Sequence, residues 1–248
     1  MKKPKVSVIT ATYNDRENLE RIIRQVSAQD YENIEHIIVD GGSSDGTLEV
    51  IREAAKRYGD RIQWISEPDK GIYDALNKGI HMASGDIIGC CFDEYAGTDV
   101  LSKMADIMEK EGTDGVHGDL YYMEGEKIVR RWHQGQGSIR FGWMPGHPTL
   151  YLKKSVYDTF GLYKTDYRIS ADYEFMIRIL KDGKVRLSYL PEVLIYMSHG
   201  GTSTNSLGAY LAGMKEGHRA LKENGVSFAW FTDLCRTFRV LAQFIKKK

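Results

Sequence analysis

The chain has 248 residues, of which 42% are hydrophobic and 27% charged, an ordinary globular composition with room for one large domain or two small ones. Its 34 basic residues match its 34 acidic residues in number, which gives no reason to expect nucleic acid as a partner. The cysteines, Cys90, Cys91 and Cys235, do not form the pattern of a disulfide framework or a zinc site, and no apolar run approaches the roughly 20 residues of a membrane-spanning helix.

The first 46 residues predict a strand, a helix and a second strand. A short β-branched run at residues 6–10 leads into a polar turn at 11–15, and apolar residues then recur at helical spacing from Leu19 to Val26. A second apolar run, residues 34–39, ends on Asp40. The crossover favours a parallel pair, and ligands bind outside the carboxyl ends of parallel strands. We therefore expect a small-molecule site built on residues 10–15 and 40–45.

The alternation of strands and helices continues to about residue 94. Helices are predicted over residues 47–58 and from Ile72 to Ile80, and strands over residues 62–65 and 87–92. Residues 67–71 form a loop, as their Pro and Gly indicate. The fourth strand ends on Asp93 and Glu94, so each of the four strands ends in polar or acidic residues.

After residue 99 the pattern is looser, and no linker separates it from the first half. Helices are predicted over residues 101–109, 171–181, 210–224 and 228–248. Strands are predicted over residues 115–123, 127–132, 149–152 and 185–197, and glycine-bearing loops over 134–148 and 198–203. We predict one domain over residues 1–225, with halves 1–98 and 99–225, followed by a basic amphipathic helix at 226–248.

Five motifs occur in order along the chain: SVITATYN, IIVDGGSSDGT, EPDKGIYDALNKG, the acidic strand end at Asp93, and SADYEFMIRI. Together they resemble the family 2 glycosyltransferases, of the colanic-acid or surface-polysaccharide type, over about residues 5–205. The resemblance implies a glycosyltransferase-A fold, which is an α/β fold with a Rossmann-like, mixed, mainly parallel sheet flanked by helices and followed by C-terminal helices. It also implies a nucleotide-sugar donor, a divalent metal (Mn²⁺ or Mg²⁺) and inversion at the anomeric carbon.

A nucleotide needs acceptors for its base, an aromatic face for its ring and donors for its phosphates. The family positions that match Tyr13, Asp40 and Asp69 line the nucleotide pocket, and Asp40 can accept a hydrogen bond from a uracil N–H. The predicted donor-binding residues are Thr10, Ala11, Thr12, Tyr13, Asp40, Ser43, Asp69, Lys70 and Asn77. The alternative interpretation is that Asp40-Gly41-Gly42 and Pro68-Asp69-Lys70-Gly71 only form turns, which these residue types favour without any ligand. Function is favoured for Asp40, because an acid that ends an apolar strand is costly without a partner; for Lys70 and Asn77 the two interpretations balance.

A divalent cation can neutralise the charge that builds up on a departing diphosphate, and carboxylate oxygens suit magnesium or manganese. The family places Asp-x-Asp or Asp-Asp after an apolar strand, whereas this chain has Asp93-Glu94, so altered metal use stays open. Asp93 is the predicted metal ligand and Glu94 a second one. His199, beside two glycines, could bind metal or pyrophosphate. The alternative for Asp93 and Glu94 is a pair of solvated acids at a strand end, and the alternative for His199 is a plain turn.

An inverting displacement needs one general base to take the proton of the acceptor hydroxyl. Asp172 matches the family's base, at a predicted helix N-terminus; a helix-capping acid is the alternative. His147, in a loop with two prolines, and Trp143 are predicted to contact acceptor or sugar. A merely exposed histidine and a core tryptophan are the alternatives.

The last predicted helix has an apolar stripe, and the sequence ends on three lysines. It fits an interfacial helix that meets anionic lipid, a helix packed on the domain, or a homodimer contact, and these stay open. We expect a cytoplasmic protein, either free or peripheral at the inner face of the membrane, because the apolar run after the basic residues 1–5 is too short for a secretory signal.

The sequence thus predicts an inverting hexosyl- or N-acetylhexosaminyltransferase that uses a nucleotide-diphosphate sugar, expected to be UDP-linked. The acceptor would be a hydroxyl of a sugar or a lipid-linked sugar in polysaccharide or glycolipid biosynthesis. A non-catalytic nucleotide-sugar-binding protein of the same fold is the alternative, supported by the altered Asp93-Glu94 motif. A dinucleotide oxidoreductase is disfavoured, because residues 10–15 contain no glycine.

Overall fold

The computed structural model describes residues 3–198 and 207–243. Its first half alternates strands and helices in the predicted order: β1 (Val6–Thr12), α1 (Arg16–Ser27), β2 (Ile34–Asp40), α2 (Thr47–Tyr58), β3 (Ile62–Ser66), α3 (Ile72–Met82) and β4 (Ile87–Cys90). The fourth strand ends two residues earlier than predicted, which places Asp93 in the turn that follows it.

The second half contains more elements than the sequence pattern indicates. They are β5 (Glu94–Tyr95), α4 (Val100–Glu111), β6 (Gly115–Glu124), β7 (Lys127–Trp132), β8 (Tyr151–Lys153), α5 (Lys154–Phe160), α6 (Ala171–Leu180), β9 (Leu187–Ser198), α7 (Leu207–Glu223) and α8 (Ala229–Ala242). The short β5 and α5 were not predicted. Residues 134–148 form the predicted loop, interrupted by single 3₁₀ turns. No helix within residues 3–198 and 207–243 is long and apolar enough to cross a membrane.

Within the described residues, nine strands form one mixed sheet in the order β3-β2-β1-β4-β8-β6-β9-β5, with β7 paired to β6 beside this path. β1 to β4 are parallel to one another, whereas β8 runs antiparallel to both β4 and β6. The predicted mixed, mainly parallel sheet flanked by helices is therefore confirmed. Because the first four strands are parallel, their carboxyl ends lie at one edge of the sheet.

Helices cover both faces of the sheet. Ile9 packs with Leu76 of α3 and Phe175 of α6 on one face, and Val8 packs with Leu101 of α4 on the other. All five side chains are essentially inaccessible to solvent, and burying each contributes roughly 1.5–3 kcal/mol.

The helix α3 packs unusually close to β1. A Cβ atom on Gly79 would lie 2.5 Å from Cγ2 of Ile9, so only glycine permits this approach. The first turn of α3, with Ile72 and Tyr73, consequently lies beside the carboxyl end of β1.

Candidate active site

A cavity of about 1170 Å³ opens at the carboxyl ends of β1 and β4. Its walls come from residues 10–12, the starts of α1 and α3, the loop before α6, and α7. Six of the predicted site residues line it: Thr10, Ala11, Thr12, Asp93, His147 and Asp172. The two carboxylates from the separate halves of the chain therefore share one cavity.

Asp172 lies in the first turn of α6, where it accepts a hydrogen bond from a neighbouring tyrosine. The hydroxyl of Tyr73 is 2.9 Å from Oδ1 of Asp172 and 2.6 Å from the carbonyl oxygen of Ile169. Burial raises the pKa of Tyr73 well above its ordinary value, so this hydroxyl keeps its proton and acts as a donor. Within the described ranges Oδ2 of Asp172 has no hydrogen-bond partner, which leaves it available to a proton donor in the cavity.

Glu216 of α7 holds the loop that precedes Asp172. Its carboxylate accepts hydrogen bonds from the backbone N–H groups of Arg168 (2.9 Å), Ile169 (2.9 Å) and Ser170 (2.8 Å). Hydrogen bonds to an ionised acceptor are about twice as strong as neutral ones. Glu216 also lines the cavity, so this wall and the start of α6 are fixed by one side chain.

His147 lines the cavity and is held by aromatic neighbours. Its Nε2 lies 2.8 Å from the Tyr163 hydroxyl, and its ring stacks on Phe92 with centroids 6.5 Å apart. Burial lowers the pKa of His147, and the negative charge of Asp172 opposes that shift. The imidazole is therefore neutral at pH 7 and can exchange a hydrogen bond with a hydroxyl in the cavity.

Asp93 and Asp15 are two carboxylates that line the same cavity. Oδ1 of Asp93 accepts a hydrogen bond from the backbone N–H of Ser198 at 3.0 Å. Burial raises the pKa of Asp93; hydrogen bonding to Ser198 and the positive charge of Arg21 oppose the increase, and the nearby charge of Asp15 adds to it. Neighbouring carboxylates that disfavour each other's charge are stabilised by a cation.

No group of three or more His, Cys, Asp and Glu side chains in the described parts of the chain could hold a metal by itself. Magnesium, however, commonly takes one or two carboxylates and completes its coordination with water and substrate phosphates. Asp93 with Asp15 fits a metal shared with a bound diphosphate.

The other predicted metal ligands are placed differently. Glu94 lies in β5, its carboxylate is 3.6 Å from Nη1 of Arg21, and it does not line the cavity. Neighbouring residues of an extended chain point in opposite directions, which is why Asp93 and Glu94 diverge. This placement argues against Glu94 as a ligand. His199 lies outside the described residues.

Tyr13 and Asp69 meet over Gly41, next to the cavity. A Cβ atom on Gly41 would lie 2.7 Å from Oδ2 of Asp69 and 3.2 Å from Cδ2 of Tyr13. The Tyr13 side chain is 63% exposed. An exposed ring and a carboxylate beside a bare Cα atom leave room for a flat base to stack and to donate a hydrogen bond.

Asp40 is fully buried and its acceptors are used within the chain. Oδ2 accepts from the N–H groups of Gly42 (3.2 Å) and Ser43 (3.1 Å) and from the Ser66 hydroxyl (2.6 Å), and Oδ1 accepts from the Ser43 hydroxyl. A hydrogen-bonding partner is expected for Asp40 at the end of its strand, and the loop that follows the strand supplies it. Asp40 and Ser43 therefore shape residues 41–43, and their placement does not support a direct contact with a base.

Three further predicted residues lie away from the cavity. The amide of Asn77 bonds both the backbone oxygen (2.8 Å) and N–H (3.0 Å) of Tyr163, and Lys70 is exposed in its loop. Trp143 is 7% exposed, donates its Nε1–H to the carbonyl of Gln134 at 2.9 Å, and borders a different cavity of about 860 Å³. These contacts make Asn77 and Trp143 structural and argue against their predicted ligand contacts.

The two threonines of β1 differ in what they leave for a ligand. The Thr10 hydroxyl donates to the Cys91 carbonyl at 2.9 Å and lies 2.9 Å from Nε2 of His36. The Thr12 hydroxyl is buried, lines the cavity and has no partner in the part of the chain that the structure describes. An unsatisfied buried hydroxyl costs roughly 1–3 kcal/mol, so a ligand that bonds Thr12 would recover this cost.

Asp15 lies in the stretch 10–15 that the sequence assigned to a small-molecule site, but sequence reasoning gave it no individual role and missed the lining residues Tyr73, Arg168 and Glu216. Tyr73 stands inside EPDKGIYDALNKG, so the motif contained it. Arg168 is exposed and its guanidinium makes no ion pair within residues 3–198 and 207–243. Glu216 reaches its three partners from 46 to 48 residues away, and no local pattern indicates such a contact.

Comparisons of the sequence with known proteins point to one family. The model of "Glycosyl transferase family 2" matches residues 7–176. The chain is 33% identical over 186 residues to an uncharacterized glycosyltransferase of Mycobacterium tuberculosis, covering 71% of this chain and 68% of the relative. It is 29% identical over 213 residues to a PGL/p-HBAD biosynthesis glycosyltransferase of Mycobacterium bovis, covering 82% of this chain and 80% of the relative.

Solved structures share the fold at low sequence identity. Residues 1–349 of S. aureus TarS in complex with UDP match with a TM-score of 0.70 and 16% identity, covering 97% of this chain and 70% of that one. The Pyrobaculum calidifontis mannosyltransferase PcManGT, in complex with GDP-Man and Mn²⁺, matches with a TM-score of 0.67 and 17% identity. The match covers 97% of this chain and 75% of the mannosyltransferase chain. The chain spans 42% of the longer TarS chain. The predicted glycosyltransferase-A fold is confirmed.

Proposed function

This chain belongs to glycosyl transferase family 2, and from that premise we propose that it moves a sugar from a nucleotide-diphosphate donor to a hydroxyl acceptor with inversion. The observation that carries the proposal is the placement of Asp93 and Asp172 in one cavity at the carboxyl edge of the sheet. Transfer needs a negative group at each end of the reacting bond: one to organise the diphosphate through a cation, and one to receive a proton.

Asp172 is the proposed general base. The acceptor hydroxyl attacks the anomeric carbon from the face opposite the diphosphate, and its proton passes to Oδ2 of Asp172 as the bond to the diphosphate breaks. A single displacement of this kind inverts the anomeric centre. Tyr73, which bonds Oδ1, and Glu216, which holds the loop before α6, keep the carboxylate in place.

The donor lies across residues 1–98 in this proposal. The ring of Tyr13 stacks on the base, Asp69 accepts from it, and the Thr12 hydroxyl bonds the ribose or a phosphate. Asp93 and Asp15 would hold Mn²⁺ or Mg²⁺, and this metal would supply positive charge to neutralise the diphosphate. The bound UDP of TarS and the GDP-Man and Mn²⁺ of PcManGT support a nucleotide-sugar donor and a metal; UDP is our proposal for the nucleotide.

The acceptor lies against residues 99–225, with His147 positioned to contact it. The name of the M. bovis relative supports a role in making a glycoconjugate, and we propose a hexosyl or N-acetylhexosaminyl transfer to a sugar or lipid-linked sugar.

Incubation with UDP- and GDP-sugars, with and without Mn²⁺, tests the proposal. We expect a metal-dependent thermal shift with one donor class and slow release of the nucleoside diphosphate, which Asp172→Asn suppresses while the shift persists. Binding without any release, with acceptor sugars present, would instead indicate a non-catalytic nucleotide-sugar-binding protein, the role that the Asp93-Glu94 departure favours.

A further inference from the structure

The helix α8 turns an apolar face to solvent. Trp230, Phe231, Leu234, Phe238 and Leu241 recur about once per turn, and all five are exposed, Trp230 by 64% and Phe238 by 63%. We call these five residues the α8 surface. Amphipathic helices of globular proteins bury their apolar stripe, so this helix has the reverse arrangement.

The opposite face of α8 is the one that packs on the domain. Ala229 and Thr232 are buried there, and the Thr232 hydroxyl donates to the carbonyl of Arg140 at 3.1 Å. Arg239 donates from Nε to the carbonyl of Phe141 at 2.8 Å. These contacts fix the rotation of the helix, and the α8 surface must therefore point outward.

The neighbouring helix α7 extends the apolar character and also forms part of the cavity. Tyr210, Leu211 and Met214 of α7 are exposed. One side of the same helix, carrying Ala212 and Glu216, lines the cavity. An apolar partner that covers α8 and α7 would thus lie next to the proposed acceptor site.

Charge selects among the partners that an apolar face could take. Residues 226–248 contain two arginines and three lysines against a single Asp233, a net charge of +4, in a chain that is neutral as a whole. Two copies joined through this face would bring like charges together. Arg236 is paired with Asp233, so the charge open to anionic lipid comes from the exposed Arg239 and the three lysines at 246–248. A basic residue near such a surface strengthens binding about fivefold, and the lipid boundary accommodates aromatic side chains.

We propose that the α8 surface docks on an anionic lipid bilayer. Docking places α7, and with it the cavity, at the membrane, where a lipid-linked acceptor is reached without leaving the bilayer. Only this link to the acceptor rests on the proposed function; the docking itself does not.

Sedimentation of the full chain with vesicles tests the proposal. We expect binding to phosphatidylcholine vesicles that contain phosphatidylglycerol, little binding without it, and weakening by salt. Trp230→Glu with Phe238→Glu should reduce binding about tenfold or more. The exposed Trp64 lies in β3, so Trp64→Glu is a matched control that should bind normally.

Each other result overturns the docking. No binding to the anionic vesicles, or equal binding by the double variant, removes the lipid partner. A dimer in light scattering that the double variant abolishes, together with unchanged vesicle binding, assigns the face to a second copy. Donor hydrolysis, measured in parallel without vesicles, should be the same in all variants, so that loss of membrane binding is distinguished from failure of the glycosyltransferase assignment.

Discussion

The Tyr73 hydroxyl lies 2.9 Å from Oδ1 of Asp172, a contact between side chains 99 positions apart in the sequence. It joins the first turn of α3 to the first turn of α6. Because α3 follows directly on the loop that carries Asp69, the proposed donor side and the proposed base are connected through one tyrosine.

We predict that Tyr73→Phe slows transfer without weakening donor binding. The substitution removes a single donor to a carboxylate, which corresponds to a fall in kcat of about tenfold. Kinetics at saturating donor, with the donor Kd from titration, check this. Tyr31 also donates to a backbone carbonyl, that of Pro4 at 2.7 Å, but far from the cavity, so Tyr31→Phe should leave kcat unchanged. Equal effects of the two variants would contradict a role for Tyr73.

Asp172→Asn should lower kcat by roughly 10²–10⁴-fold, because an amide cannot accept the proton of the attacking hydroxyl. The Asn side chain fills the same space, so donor binding should change less than about threefold. Calorimetric titration with UDP and a transfer assay measure the two effects separately. Asp158 is an exposed acid on α5, and Asp158→Asn is the control. Parallel loss of UDP binding and turnover would refute the assignment of the base.

Glu216→Ala should loosen residues 168–170, because three backbone N–H groups lose their acceptor. We expect the free energy of unfolding to fall by about 2–3 kcal/mol and kcat to fall more than the affinity for donor. Glu216→Gln retains one acceptor oxygen and should restore part of kcat, a rescue that a purely electrostatic role would not give. Glu53, an exposed acid of α2 that does not line the cavity, provides the control Glu53→Gln. Denaturant unfolding and kinetics measure both effects.

The sequence predicted those parts of the molecule that depend on local pattern. Strands β1 to β4 and helices α1 to α3 follow from period-2 and period-3.6 runs, and parallel strands bring Asp93 to the edge where the cavity opens. Asp40 shows the limit: its type and position fit a ligand contact, but its oxygens are used by a local turn at residues 42 and 43, the alternative that the sequence also offered, and by a tertiary bond from Ser66. Glu216 and Tyr73 likewise depend on contacts between distant elements, which no window of sequence records.

Asp93→Asn should weaken the metal-dependent part of donor binding. The amide lacks the negative charge that a divalent cation needs, so the thermal shift from Mn²⁺ added with UDP should fall, whereas the shift from UDP alone should persist. Asp15→Asn should give a smaller loss in the same direction. Glu20 is an exposed acid of α1 that pairs with Arg24 and does not line the cavity, which makes Glu20→Gln the matched control. A Mn²⁺ response that Asp93→Asn leaves intact would move the metal to other ligands.

Acidification should destabilise the fold through two buried histidines. Burial lowers the pKa of His36 to about 3 and that of His117 to about 4, against an ordinary value of 6.5. The folded state keeps both rings neutral while the unfolded chain binds protons below pH 6.5, so stability is full above that pH and falls as the pH decreases. Each histidine contributes a slope of up to about 1.4 kcal/mol per pH unit between pH 6.5 and its folded pKa.

Glu35, the buried acid with the largest lowering of its pKa, does not obscure this window. Burial alone would raise the pKa of Glu35, but hydrogen bonds from Lys5, Ser7 and Ser84 lower it to about 2, so its contribution is lost only below about pH 4.5. Urea unfolding at several pH values from 7 to 5 should therefore show a slope that His36→Gln reduces by up to about 1.4 kcal/mol per pH unit, whatever its effect on absolute stability. His81 is exposed on α3, and His81→Gln should leave the slope unchanged. If His36→Gln and the parent protein had the same slope, the fold would not hold His36 neutral. That result would also argue against the contact between the His36 ring and the Thr10 hydroxyl.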